Sequence, residues 1–201
     1  MILVKPSFKI EGIYGADLLL MEKAGRTCYK SEPKGDPEGF LKSKIKAKHL
    51  TIIEHSAMSV RFIADRGFTH ELVRHRMAVY SQESTRWCNY AGKGIEIIHP
   101  EVLTHAQKER REDHFWTVQK LYEREIAEGL PPQIARGVLP TALKTEIVIT
   151  TNFREWRLIF KQRALGTTGK PHPQMLELMV PLLAEVKTRV PAIFDDLIIK
   201  E

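Results

Sequence analysis

Glu71-Leu-Val-Arg-His-Arg-Met-Ala-Val-Tyr-Ser-Gln-Glu-Ser-Thr-Arg-Trp87 packs three arginines, a histidine and several small polar side chains into seventeen residues. Such density is unusual, and arginine's planar fork, which binds phosphate oxygens in pairs, points to anionic ligands. Apolar residues at Phe68, Leu72, Val73, Met77 and Tyr80 predict a helix from Phe68 to Tyr80 with Thr69 as its cap, and the arginine motif begins on it. Arg74 and Arg76, two apart, cannot share one helix face and would address different ligands, subunits or ends of one extended anion.

Upstream, strict alternation from Ser56 to Ala64 predicts a half-buried strand, with Met58, Val60 and Phe62 on one face and Ser59, Arg61 and Ile63 on the other. Helices are expected over Gly15 to Tyr29 and over Phe40 to His49, the latter with a solvated lysine face at 42, 44, 46 and 48. Downstream come a strand near Gly94 to His99 and a long helix from Leu103 to Glu128 that stops at Gly129, before a short helix from Pro132 toward Val138. The β-branched run Lys144 to Thr151 predicts a strand, and Asn152 is placed to cap a helix whose stripe is Phe153, Trp156, Ile159 and Phe160. Trp156 and Phe160 are read as core. A loop at Gly166-Thr-Thr-Gly-Lys-Pro-His-Pro leads to a last helix from Gln174 to Thr188.

The bulk numbers set limits on function. The chain has 201 residues, 43% of them hydrophobic and 28% charged, an ordinary globular balance that predicts a single domain over 1–201. Apolar runs fall far short of a bilayer span and the amino terminus lacks a signal-peptide pattern, so a cytoplasmic protein without membrane association is expected. Cys28 and Cys88 are the two cysteines, which suggests neither a disulfide framework nor a thiolate metal site. A net charge of +6 favours an anionic partner without naming it. His49 and His55 flank Glu54 without the helical i, i+4 pairing of a metalloprotease, and no metal is expected.

Arg74-His75-Arg76 followed by seven residues and Ser84 resembles the signature of flavin-dependent thymidylate synthases. The resemblance extends to His49, Glu54-His55, Arg136-Gly-Val-Leu-Pro140, Asn152-Phe153-Arg154 and Arg163-Ala164 with His172 and Gln174, all in the family's order over roughly residues 20 to 195. It implies a mixed α/β single-domain fold, a central mostly antiparallel sheet flanked by helices, assembled as a homotetramer with shared sites. The implied reaction is reductive methylation of dUMP to dTMP, with methylenetetrahydrofolate as carbon donor and FAD reduced by NADPH as hydride source.

By position, the resemblance makes Thr51, Arg74, His75, Arg76, Gln82, Asn152 and Arg154 contacts to FAD, with Leu158 standing where some members place a polar one. For dUMP it implies Glu71, Leu72, Val73, Arg74 and Gln82, then the loop Glu83, Ser84, Thr85 and Arg86 supplied by a neighbouring subunit, and Arg136. Arg163 matches the arginine that stabilises ionised uracil. Trp87 replaces the family's usual tyrosine, Glu71 a commoner glutamine, and the loop after Arg163 is longer. Neither Ser84 nor Cys88 is expected to be a nucleophile. The competing readings are a basic nucleic-acid-binding module and a catalytically silent family member that binds FAD or dUMP.

Overall fold

Alternation and capping account for most of the elements in the computed structural model, which describes residues 1–199. A four-stranded antiparallel sheet has the order β2-β3-β6-β4, where β2 is Ser7–Tyr14, β3 is Ala57–Asp65, β4 is Ala78–Gln82 and β6 is Lys144–Asn152. A separate two-stranded sheet pairs β1 (Ile2–Leu3) with β5 (Glu96–Ile97) in parallel. The helices are α1 (Leu18–Thr27), α2 (Pro37–Lys46), α3 (Arg66–Leu72), α4 (His105–Ala127), α5 (Pro132–Ala135), α6 (Phe153–Arg163), α7 (Pro173–Arg189) and α8 (Pro191–Phe194). The chain forms two compact units.

The first unit takes Met1–Ser7, Phe62–Arg74 and Tyr80–Val148. Its core joins Ile95, Ile97, Phe115, Val118 and Leu143, with Phe62 and Phe68 packed ring to ring at 5.2 Å. Thr104 begins α4 with a full capping box through Gln107, which explains the sharp start of a helix that is otherwise very polar. Lys144, where β6 begins, is ringed by Glu96 at 3.0 Å, Glu146 at 3.4 Å and Glu83 at 3.6 Å.

The second unit takes Phe8–Arg61, His75–Val79 and the chain from Ile149 onward. Here α6 carries the expected stripe inward: Phe153, Trp156, Ile159 and Phe160 are all fully buried. Trp156 and Phe160 stack at 5.5 Å, Phe194 meets Phe153 and Phe160 edge-on, and the Trp156 indole donates to the Met58 carbonyl at 2.9 Å. Burying that N–H on a backbone acceptor lets a tryptophan serve as core without an unmet donor. Arg157, which the pattern placed off the stripe, is also buried, and it forms a two-pronged pair with Asp196 at 2.6 Å through both terminal nitrogens.

The expected helix from Phe68 to Tyr80 forms only as far as Leu72. Asp65, rather than Thr69, caps α3 by accepting from the Phe68 amide at 2.7 Å, and the helix ends at Leu72. The Tyr80 hydroxyl donates to the Leu72 carbonyl at 2.8 Å, satisfying one of the carbonyls a helix end leaves open. Residues 78–82 then pair as a strand, and Met77, expected on the apolar helical face, is 72% exposed. Two further strands, β1 and β2, lie outside the elements expected from the sequence.

Candidate functional site

The arginine motif straddles a change of element: Arg74, His75 and Arg76 lie in the link between α3 and β4. The alternation argument for a helix face therefore does not apply to them. Arg74 and Arg76 are exposed, whereas His75 is 5% exposed. The link is tied down in the second unit by Thr151, whose hydroxyl donates to the Met77 carbonyl.

In the first unit, Glu83 to Arg86 and Arg136, five of the residues expected at the nucleotide, meet in a hydrogen-bonded loop after β4. The Glu83 amide donates to the Glu146 carbonyl at 2.9 Å, and the Glu83 carboxylate accepts from the Tyr90 hydroxyl at 2.7 Å. The Ser84 hydroxyl accepts from the Arg86 amide at 3.2 Å while its carbonyl accepts from the amides of Trp87 and Cys88. Arg136 reaches the buried Thr85 hydroxyl at 3.5 Å, and Arg86 donates to Gln133 at 3.1 Å. Two exposed guanidiniums are thus anchored on one loop, an arrangement suited to a phosphate monoester. Gln82 spends its amide nitrogen on Thr69 at 3.0 Å and Thr145 at 3.3 Å. Leu72 is fully buried, so its side chain offers no ligand contact; half-exposed Val73 and partly exposed Glu71 sit beside it at the end of α3.

In the second unit, a pocket of about 440 Å³ gathers Thr51 and Arg154 with Lys44, Lys48, His49 and His55, walled by Phe40 and Tyr29. Arg154 is held by Glu54 at 2.5 Å. Asn152 caps α6 through its side-chain oxygen, which accepts from the Glu155 amide at 2.9 Å, leaving the amide nitrogen as the donor it can offer a ligand. Leu158 is 42% exposed and can supply only apolar contact.

At the other end of α6, the Arg163 Nε donates to His75 Nε2 at 3.3 Å, and His75 Nδ1 faces a Glu155 oxygen at 3.5 Å. Burial, with the Arg163 charge beside it, pulls the imidazole pKa down from 6.5 to about 4. His75 is therefore neutral at physiological pH. Burial pushes the Glu155 carboxyl up, with Arg154 opposing.

Three participants were missed from sequence: Glu155, Tyr90 and Gln133. Tyr90 and Gln133 carry no motif, and only the folded chain brings them to Glu83 and Arg86. Glu155 had a signal that pointed elsewhere, because an acid three residues after an Asn cap is ordinarily a capping-box residue.

The family model described as thymidylate synthase complementing protein matches residues 14–192. A flavin-dependent thymidylate synthase of Mycobacterium bovis is 31% identical, covering 88% of this chain and 78% of its own length. One from Geobacter sulfurreducens is 30% identical, covering 86% and 78%. Among solved structures, a UMP/dUMP methylase from Streptomyces cacaoi, crystallised with 5-Br dUMP, superimposes with a TM-score of 0.85 over 97% of this chain and 96% of its own. That pair is 17% identical, so the likeness speaks for the fold. With a family pattern spanning nearly the whole chain and relatives near one-third identity, the chain belongs to the flavin-dependent thymidylate synthases.

Proposed function

We propose that this enzyme, acting in the cytoplasm as a homotetramer of single-domain chains, converts dUMP, methylenetetrahydrofolate, NADPH and a proton to dTMP, tetrahydrofolate and NADP⁺. The observation that carries the reading is the Arg163 guanidinium, held through Nε by an imidazole that stays neutral. A cation fixed against uracil N3 or its flanking carbonyls stabilises the negative charge that makes C5 nucleophilic toward the folate's one-carbon unit.

Arg86 and Arg136 hold the nucleotide phosphate, with the Ser84 loop and the Glu71 to Arg74 segment as further nucleotide contacts. For FAD, the donor chemistry of the second unit's pocket fits: Arg154, Lys44 and Lys48 oppose a pyrophosphate, Thr51 and Asn152 add neutral hydrogen bonds, and Phe40 and Tyr29 offer ring faces. Arg74, Arg76 and Gln82 extend the flavin contacts, and Leu158 meets the cofactor through apolar surface. Bound FAD, reduced by the nicotinamide, supplies the hydride that completes the methyl group.

The test is an anaerobic assay on the full chain with FAD, NADPH, dUMP and methylenetetrahydrofolate. Bleaching of the visible flavin bands with formation of dTMP is the expected result. Flavin binding without dTMP points to a silent family member, and absence of flavin with salt-sensitive nucleic-acid binding overturns the reading.

A further inference from the structure

We propose that Glu155 is a positioning residue for Arg163, acting through the His75 imidazole. The inference rests on the reading of Arg163 as the cation at uracil. Glu155 is 8% exposed, and a carboxylate taken out of water is costly unless something donates to it. Its backbone amide is already held by the Asn152 cap, which fixes where α6 starts and therefore where this side chain departs. An acid at that position usually turns back onto the cap, but here the carboxylate faces His75 Nδ1 at 3.5 Å.

The proton positions follow from the chemistry of arginine. A guanidinium N–H only donates, so His75 Nε2, 3.3 Å from Arg163 Nε, must be the bare nitrogen. The imidazole proton then sits on Nδ1, the nitrogen 3.5 Å from a Glu155 oxygen. A carboxylate there selects this tautomer and fixes the ring plane, just as outer-shell carboxylates orient histidine ligands elsewhere. Glu155 and Arg163 belong to one helix, eight residues and about 12 Å of rise apart. The imidazole from the α3–β4 link thus bridges two points on one rigid rod. With the ring fixed at Nδ1, the Nε bond at the far side fixes the tilt of the guanidinium plane, on which its pairing with uracil depends.

The experiment uses the full chain loaded with FAD. Imidazole ¹⁵N shifts report the tautomer: His75 protonated on Nδ1 and bare at Nε2 is expected, and the opposite tautomer overturns the proposal whatever the variants do. Kinetically, Glu155→Ala lowers kcat on the order of ten-fold, while flavin content and the KM for dUMP stay near wild type. Glu155→Gln, whose amide oxygen can still accept from Nδ1–H, recovers part of that loss. In an Arg163→Lys background, which lacks the Nε bond, Glu155→Ala has no further effect. Losses that multiply in the double variant sink the Glu155 proposal alone. Wild-type turnover by Arg163→Lys itself removes the reading of Arg163, and the proposal falls with it.

Discussion

Arg163 and His75 are unlike partners in one hydrogen bond: one brings a permanent charge, the other a lone pair that survives only while the imidazole is unprotonated. Arg163→Ala is expected to abolish dTMP formation while leaving the visible flavin spectrum, because charge at the uracil is lost and the pocket of Thr51 and Arg154 is untouched. Near-normal turnover would refute the assignment. His75 also links the site to stability. Its folded pKa, near 4, lies below the free value of 6.5, so between these pH values the unfolded chain takes up a proton that the folded one refuses. Stability from this group is complete above pH 6.5, falls as the solution is acidified, and has dropped by about 3 kcal/mol at pH 4. Urea titrations from pH 7 to pH 4 check this against His75→Asn, in which that part of the slope disappears.

Among the elements, a cap was informative where the run before it and the stripe after it agreed, and misleading where the following apolar spacing belonged to a strand. β6 and α6 joined a β-branched run to an Asn cap and a helical stripe, and both formed where expected, with Trp156 and Phe160 at the core. The helix predicted through Tyr80 joined spacing to a Thr69 cap, and neither could anticipate that Asp65 would cap a turn early or that Tyr80 would close the helix end from a neighbouring strand. β2 alternates cleanly only over Phe8 to Glu11 before Gly12 interrupts it, and its outer charges are explained by a cross-strand partner, Arg61, which donates to Glu11 at 2.7 Å. Asn152→Ala removes the acceptor for the Glu155 amide and costs about 1 kcal/mol of stability. Thermal melts measure it directly; an unchanged melting temperature would mean that packing of Trp156 and its neighbours alone sets the start of α6.

For the whole molecule, family resemblance supplied the order of the candidate site residues, but not the side chains that hold them. Arg86, Arg136 and the Ser84 loop fall in the first unit, with Thr51, Arg154, His75 and Arg163 in the second. Gln133, Tyr90 and Glu155 became visible only once the chain was folded, because their roles depend on partners 47, 7 and 80 positions away. If the Ser84 loop serves a neighbouring copy in a tetramer, two inactive variants should complement. Arg86→Ala mixed with Arg163→Ala, after dissociation and reassembly, regains dTMP synthesis. Persistent inactivity of the mixed oligomer would mean that each chain builds its site from its own residues.

The chain's three tryptophans sit in unlike surroundings: Trp156 is sealed in the core, Trp116 is 45% exposed, and Trp87 is 76% exposed with the Arg86 guanidinium 5.0 Å from its ring centre. That contrast makes Trp87 an intrinsic optical probe of the very loop assigned to the nucleotide. Its emission should lie to the red, be quenched readily by iodide, and become shielded as dUMP draws Arg86 away from the indole, giving a binding isotherm that needs no label and no turnover. In Trp87→Phe the dUMP-dependent signal vanishes, and the light that remains comes from the sealed Trp156 and the half-exposed Trp116.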